Sequence, residues 1–519
     1  MKKKSILNDV IGPIMRGPSS SHTAAAYHIA KLVRMVVQDD FKKVEIIFNE
    51  NGSWAQVYGM QNSEFAFIAG LIDYSIFSED FFALKEIAKS KNISIEFQIQ
   101  KIDEADHPNF VNLIITYRND KKLVIKAKSI GGGMIILDKI NDWSVQITGE
   151  MYNLLIEYDG KQELSISKLI NQYLDQNRIV SRQVVNNKHF LHITQTDVFS
   201  KDLIISLNKL DINIWLLKPI FFVKKGDPIF VSIDQMISLT DMKKITLGNI
   251  ALEYESKVLG LDKEEILKEM KKRINIMFST IDNGFEKKLS KMKILEHSAS
   301  TLYKNEQNGK LFSQSINTTC AIRALSAMDV VSSGGVICAA PTGGSAGVLP
   351  AVLYTLYKDY SINMTKICYC ALAAGAIGLF NSYRSTFAAE IAGCQVEIGM
   401  AGAMAAASII EAANGSSTDA INAAAISLQN TMGSVCDLVA GLCEIPCHTR
   451  NATIASNAFV CADLIMGGYI NPIPLDETID ASLESGKLLP EELRCTALGG
   501  IANTKTAKKL KSYLQKNNN

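Results

Sequence analysis

The first 319 of this chain's 519 residues contain no cysteine, and the ten that exist all fall between Cys320 and Cys495. Lysine leaves a different gap, with none between Lys366 and Lys487. Neither sign of charge is in excess: 54 Lys and Arg against 53 Asp and Glu give a net charge of +1. That excludes a global field for nucleic acid or an anionic membrane. Long apolar runs are missing as well. The longest, residues 367–380, has 14 residues, too few to cross a bilayer, and reads as a buried helix. Met1-Lys2-Lys3-Lys4 could open a leader, but Asn8, Asp9 and Arg16 interrupt any apolar core, so no targeting segment is expected. There is no solenoid period, low-complexity tract or heptad run. What is present, 47% hydrophobic and 21% charged residues, suits a soluble chain of roughly two to four domains. Clustered thiols without an export signal point to a reducing, cytoplasmic setting. There they serve as metal ligands or catalytic groups more often than as disulfides.

Residues 1–149 read as an α+β unit. Gly17-Pro18-Ser19-Ser20-Ser21-His22-Thr23 is a turn loaded with hydroxyls, and residues 24–33 after it are good helix formers. A helix N-terminus offers free N–H groups to an anion, and a carboxylate is a natural guest beside His22. Strands are expected at 43–48, 113–117 and 123–127. The last leads into Ser129-Ile130-Gly131-Gly132-Gly133, where glycines permit close backbone approach or an anion nest. From 150 to 223 the pattern runs strand, helix, strand, strand, helix, strand. This is the split βαβ or ferredoxin-like order, of a kind that often forms a regulatory or dimerising module. Lys224-Lys225-Gly226-Asp227-Pro228 reads as a linker. Residues 227–519 are expected to be all helical, with a charged solvated helix at 261–278 and a crowded Ala/Gly/Ser-rich bundle beyond Cys320. A short terminal helix is expected over 508–519.

The candidate chemistry sits at Gly393-Cys394-Gln395, Val435-Cys436-Asp437 and Glu444-Ile445-Pro446-Cys447, followed by Arg450-Asn451. Three thiolates with one open position suit a cubane iron–sulfur cluster in which one iron acts as a Lewis acid; four would saturate it. Cys320, Cys338, Cys368, Cys370 and Cys461 read as small buried hydrophobes, and Cys443 and Cys495 as spare ligands or packing. A zinc site from Cys436, Cys443, Cys447 and His448 is the metal alternative, without the usual paired spacing. The lysine gap denies this core a Schiff-base lysine for pyridoxal phosphate. Gly343-Gly344-Ser345-Ala346-Gly347 fits a nucleophile elbow formally, but its surroundings read as helices and only His448 lies downstream.

Taken with Ala340-Pro341-Thr342-Gly343-Gly344 and the run Leu493-Arg494, Thr496-Ala497-Leu498-Gly499-Gly500, these segments resemble, in order, the bacterial iron–sulfur L-serine dehydratases. The likeness is to the form that joins a β domain, an ACT-like module and an α domain in one polypeptide. It implies a 4Fe–4S cluster on Cys394, Cys436 and Cys447, with water eliminated from serine to give pyruvate and ammonia, and it implies a homodimer. His22, Ser20 and Ser21 would be catalytic. Ser19, Thr23, Ser53, Gly132, Thr342, Gly343 and Gly344 would bind the amino-acid substrate, with no nucleic acid or membrane as partner. Three departures bear on the pocket. Gln61 and Glu64 stand where the family carries histidine and aspartate, Arg384 lies in an altered segment before the first cysteine, and Glu296-His297-Ser298-Ala299 replaces a Thr-Gly-Gly. They leave room for another β-hydroxy amino acid or a serine derivative, with Arg384 or His297 on an extra group, or for a non-catalytic amino-acid sensor.

Overall fold

The computed structural model describes residues 3–38, 40–174, 178–286 and 289–517. An α+β N-terminal region is followed by a small four-stranded sheet and then by a helical C-terminal half. After the short strand β1 (Ile14–Arg16), a six-stranded sheet forms from β2 (Phe41–Asn49), β3 (Ser94–Gln100), β4 (Phe110–Tyr117), β5 (Lys122–Ser129), β6 (Ile135–Ile140) and β7 (Trp143–Ile147). Its order is β3-β2-β4-β5-β6-β7, with β2 and β3 parallel and the other pairs antiparallel. In β5 buried and more exposed residues alternate, as expected of a strand with one face on a core. That core is built from Val44, Ile46, Phe48, Leu113 and Ile125 against the helices Ala25–Val37 and Ser63–Leu71.

The middle part runs β8 (Tyr152–Asp159), helix Glu163–Tyr173, β9 (Ile179–Val185), β10 (Lys188–Gln195), helix Lys201–Leu207 and β11 (Asn213–Leu217). The strand order β11-β8-β10-β9, antiparallel throughout, is the split βαβ arrangement, with its own core of Leu154, Ile156, Ile166, Leu191, Ile193 and Leu203.

In the helical half every residue of Ile398–Ala412 is buried. A helix apolar all round belongs at a centre, and its alanines and glycines let Met364–Arg384, Ser417–Gln429 and Cys447–Met466 approach closely. Met364–Arg384 is apolar and long enough to cross a membrane, but 78% of its apolar window is buried in the protein. The halves are stitched together by β1 pairing with β12 (Val336–Cys338) and by the turn Ile6–Val10, whose Ile6 and Val10 sit where Gly375 and Gly378 leave room.

Three local expectations change. The serines do not form a free turn before a helix: Ser20–Ala24 is itself one wide π-type turn running into Ala25–Val37, and the Ser19 hydroxyl accepts the His22 N–H at 3.2 Å. The 224–228 linker is irregular yet pinned. Lys224 is buried between Asp9, at 2.7 Å, and Glu150, because an ammonium out of water needs counter-charges. The helix Lys263–Phe285 is more than a solvated face, since Ile266, Met270, Ile274, Met277 and Ile281 are buried in the main core. The terminal helix runs Lys505–Asn517, so 518 and 519 of the segment assigned to it lie outside the described residues.

Candidate active site

His22 lies at the centre of the junction between the halves and is 1% exposed. Its Nε2 is 3.1 Å from Ser53 Oγ, and Ser53 Oγ in turn donates to the Cys495 carbonyl at 3.0 Å. With that hydroxyl proton committed, Nε2 must be the donor to Ser53, which leaves Nδ1 as the acceptor. Nδ1 has Ser19 Oγ at 3.0 Å, Ser21 Oγ at 3.2 Å and Glu390 Oε1 at 3.5 Å. Burial lowers the His22 pKa below its ordinary value, against the opposing pull of the Glu390 charge, so the ring is a neutral base. Ser21 Oγ donates to Glu390 Oε1 at 2.5 Å. Ser20 Oγ accepts the Gly343 N–H at 3.3 Å, so the serine turn and the Thr342–Gly344 loop face each other. Thr23 Oγ1 donates to the Gln61 carbonyl at 2.6 Å, and the Gln61 amide reaches the Gly441 carbonyl at 3.1 Å, forming the back wall.

Several polar atoms around this centre are buried without a partner: Glu390 Oε2, both side-chain heteroatoms of Asn109, Ser129 Oγ and Gln61 Oε1. The backbone N–H groups of Ser20 and Ser21 also have no acceptor among the described residues, as the first N–H groups of a helix do not. Leaving such groups dry and unpaired costs roughly 1–3 kcal/mol each. A concentration of them marks space for a small polar ligand. Gly132 is present with φ +62°, facing Pro341 and Phe387, and its neighbour Gly131 lies so close that an added Cβ would come within 3.1 Å of Ala388. The triple glycine therefore brings the sheet domain onto the helical half. Glu397 lies across the loop, where a side chain on Gly344 would collide with its carboxylate at 2.7 Å. Burial and then the nearby Glu390 raise the Glu397 carboxyl to about 7.

The cysteine segments close the other side. Gly393 has φ +74° and abuts the Ser434 carbonyl, so a side chain there is excluded. Gln395 holds Gly433 N at 2.8 Å and Ser485 Oγ at 3.2 Å. Cys394 is a neighbour of Cys436, Cys436 of Cys495, and Cys443 of Cys447; all ten cysteines are free and buried. The Cys436 and Cys495 backbones are also joined, Cys495 N to Cys436 O at 2.9 Å. Contact with Cys436, and then burial, push the Cys394 thiol well up. Cys436 is also raised: contact with Cys394 pulls it down, but contact with Cys495 and burial outweigh that. Arg450 is the cation at hand, 3.6 Å from Cys394 Sγ and 3.0 Å from Asp437 Oδ1. Asp437 Oδ2 accepts Ile501 N at 2.8 Å and leaves no room for a side chain at Gly500, which accounts for the Leu-Gly-Gly run. Asn451 bridges Gly344 O at 2.9 Å and Gly347 N at 3.1 Å, tying the Thr-Gly-Gly loop to the cysteine helix.

The donor set fits a thiophilic metal centre: neighbouring buried thiols ionise readily only beside a strong cation. Among the described residues no three His, Cys, Asp or Glu side chains are grouped to hold one metal ion. A single zinc requires that, whereas a cluster spreads its thiolates over several irons. His448 is engaged elsewhere, with Nε2 2.9 Å from Ser332 Oγ and Nδ1 3.5 Å from Asp329 Oδ1. Ser345 is fully buried on Thr342 Oγ1 at 2.9 Å, after a two-stranded ribbon rather than an α/β sheet, so it is not a nucleophile elbow. Arg384 pairs with Asp480 at 3.0 Å, both half-exposed, and His297 meets Ser290 O at 3.0 Å; neither borders the His22 centre. Glu390, Glu397 and Asn109 escaped the sequence reading, while Arg450 and Cys495 were named there without these contacts. For the two glutamates the signal was there, since each is a lone charge inside an apolar, alanine-rich stretch.

Such a fold and site define a class: an enzyme of small polar substrates whose sheet domain closes over a thiol-rich helical core. The serine dehydratase alpha chain family matches residues 167–502. The chain is 34% identical over 285 residues to the probable L-serine dehydratase, alpha chain, of Bacillus subtilis (strain 168), covering 55% of this chain and 95% of that protein. It is 35% identical over 278 residues to the L-serine dehydratase, alpha chain, of Peptoniphilus asaccharolyticus, 53% of this chain and 95% of that protein. With L-serine dehydratase TdcG of Escherichia coli (strain K12) it shares 38% identity over 182 residues, 34% of this chain and 40% of that one. The chain belongs to the serine dehydratase alpha chain family.

Proposed function

We propose that this protein is a cytoplasmic, homodimeric L-serine dehydratase that converts serine to pyruvate and ammonia, with a 4Fe–4S cluster on Cys394, Cys436 and Cys447. Residues 1–149 would act as the β domain, 150–223 as an ACT-like regulatory module and 227–519 as the α domain. One observation carries the reading. The serine turn holds the buried His22–Ser21–Glu390 group, where polar atoms lack partners, takes the Thr342–Gly344 loop on Ser20, and is joined through Ser53 to Cys495, whose backbone pairs with that of Cys436. The similarity to proteins named L-serine dehydratase supports the same substrate.

When bound, the cluster would supply a Lewis-acidic iron to the substrate hydroxyl. Serine's carboxylate is received by the N–H groups of Ser20 and Ser21, at a turn whose dipole favours an anion, with Ser19 and Thr23 lining the substrate-binding turn and holding its shape through His22 and Gln61. Ser53 fixes the His22 tautomer, and Gly132, Thr342, Gly343 and Gly344 wall the site closely enough to exclude bulk water. The α-proton passes to the His22–Ser21–Glu390 group, and with the hydroxyl lost as water the remaining aminoacrylate becomes an imine that hydrolyses to pyruvate and ammonia. Arg384 is held by Asp480 and His297 by the Ser290 carbonyl, which favours serine over the second reading, in which either one contacts a bulkier substrate.

Anaerobic reconstitution with iron and sulfide, followed by serine and threonine turnover, tests this. Brown protein that releases pyruvate from serine is expected. Cys394→Ser should lose both colour and turnover, whereas turnover in a colourless Cys394→Ser protein would reject the cluster.

A further inference from the structure

A cavity of about 640 Å³ opens where three parts of the fold meet, and the proposed reaction makes no use of it. One wall is a single face of the helix Ala25–Val37, presenting Tyr27, His28, Lys31 and Met35. The segment 218–222 that leaves β11 forms the second wall. The helix Lys263–Phe285 forms the third, through Glu269, Lys272 and Arg273. The volume is that of a small-molecule site, and module boundaries are where such sites concentrate.

The walls are unbalanced in charge. Lys31, Lys218, Lys272 and Arg273 face one carboxylate, Glu269, which Arg273 already holds at 2.9 Å. Arg273 is itself buried, with Nε on the Ile11 carbonyl at 2.9 Å. The three lysines ion-pair with no carboxylate among the described residues; Lys31 Nζ lies 5.7 Å from the Tyr27 ring centre. Between these cations the lining is apolar, with Met35, Ile76, Phe77 and Phe221.

His28 connects this space to the substrate side. Its Nδ1 lies 2.8 Å from the Gly133 carbonyl and must donate to it, which leaves Nε2 an acceptor with no partner among the described residues. The same ring meets Phe221 edge-on at 4.8 Å. Gly133 closes the glycine loop that presents Gly132, and the helix bearing His28 begins where the serine turn ends.

We propose that this cavity is an effector site for a small carboxylate with an apolar body, and that its occupancy is linked to the substrate loop through His28. The carboxylate meets Lys31, Lys218 and Lys272, and the hydrocarbon end meets Met35, Ile76, Phe77 and Phe221. A plain anion complements the unmatched lysines, whereas a zwitterion adds an ammonium group to an already cationic rim.

Calorimetric titration of the full chain with 4-methylpentanoate, 4-methylpentylamine and L-leucine, with and without L-serine, tests the proposal. The carboxylate should bind saturably, leucine about tenfold more weakly and the amine not at all. Lys218→Glu changes an exposed residue with no ion-pair partner to lose. It should weaken carboxylate binding about tenfold while the thermal midpoint and serine turnover stay put. Saturating serine should shift carboxylate affinity about fivefold, by the reciprocity of linked sites, and His28→Phe should keep the binding but lose the shift. No saturable binding, equal or tighter binding of the amine or leucine, or binding indifferent to Lys218→Glu would overturn the site. Equal affinity with and without serine would overturn the linkage. The serine-free titration reads the cavity alone, so its failure is separable from failure of the dehydratase reading.

Discussion

Glu390 is the residue with the least other reason to exist. It is 3% exposed, one of its oxygens takes the Ser21 hydroxyl and the other is unpartnered, a costly arrangement unless a ligand or proton completes it. Glu390→Gln should retain the fold, shown by an unchanged thermal midpoint, and lose about 10²–10⁴-fold in pyruvate release, the usual range for a removed acid–base group. A drop under threefold would confine Glu390 to a packing role. A second pair gives a pH signature. Burial raises Asp329 to about 6 and lowers His448 to about 4, the two lying 3.5 Å apart. A carboxyl raised on folding contributes stability that is full below its unfolded value and lost as pH rises to about 6. An imidazole lowered on folding contributes stability that is full above its unfolded value and lost as pH falls to about 4. In the intact protein the two slopes oppose each other between about 4 and 6. Asp329→Asn should make the thermal midpoint climb more steeply with pH in that window than in the parent, and His448→Gln should make it climb less; parallel profiles would refute the two burial shifts. The cysteine, glycine and hydroxyl members of the site were legible because each stood in a short segment with its own chemical logic. Glu390 and Glu397 stood out only as lone charges in apolar stretches, and their role depends on which backbone folds over them.

At the scale of elements, periodicity located the four strands of the smaller sheet, β2, β4 and β5 of the larger one and the buried helix at 367–380 within a few residues, since side-chain alternation and apolar length are local properties; β3, β6 and β7 were missed. Long-range partners were not visible that way. Lys224 reads as linker until Asp9 and Glu150 are beside it, and the stretch 6–10 has no assigned role until Met364–Arg384 is present to receive it. There the decisive residues are glycines. A Cβ at Gly378 would come within 2.2 Å of Val10 Cγ1, and one at Gly375 within 2.4 Å of Ile6 Cγ2. Gly378→Ala should therefore cost about 1–3 kcal/mol by overpacking. Adding Val10→Ala should return part of that, because the clash is with one side chain. Denaturant midpoints of both single variants and the double read the coupling directly, and simple additivity would show that the N-terminal turn does not seat on this helix.

For the whole molecule, the question is how a helical half that spans nearly the full length of proteins named as alpha chains is joined to the rest. The fastening is a buried carboxylate. Glu255, fully buried, accepts Ser5 Oγ at 2.5 Å, Ile6 N at 2.7 Å and Leu7 N at 3.0 Å. Ile6, Leu7, Val10, Ile11 and Met15 then continue the same apolar core as the bundle. Covalent continuity through residues 224–228 adds effective concentration rather than contacts. A chain divided between Asp227 and Pro228 and expressed as two polypeptides should accordingly assemble and co-purify through a tag on either piece. Glu255→Ala leaves two backbone N–H groups buried without acceptors, roughly 2–4 kcal/mol by the usual cost of such losses. In the intact chain that should appear only as a lower thermal midpoint, because the tether keeps the parts together. In the divided protein, at micromolar concentration, it should release the tagged piece alone. Co-purification that survives Glu255→Ala in the divided form would place the fastening in the β1–β12 ribbon and the glycine-loop contact instead.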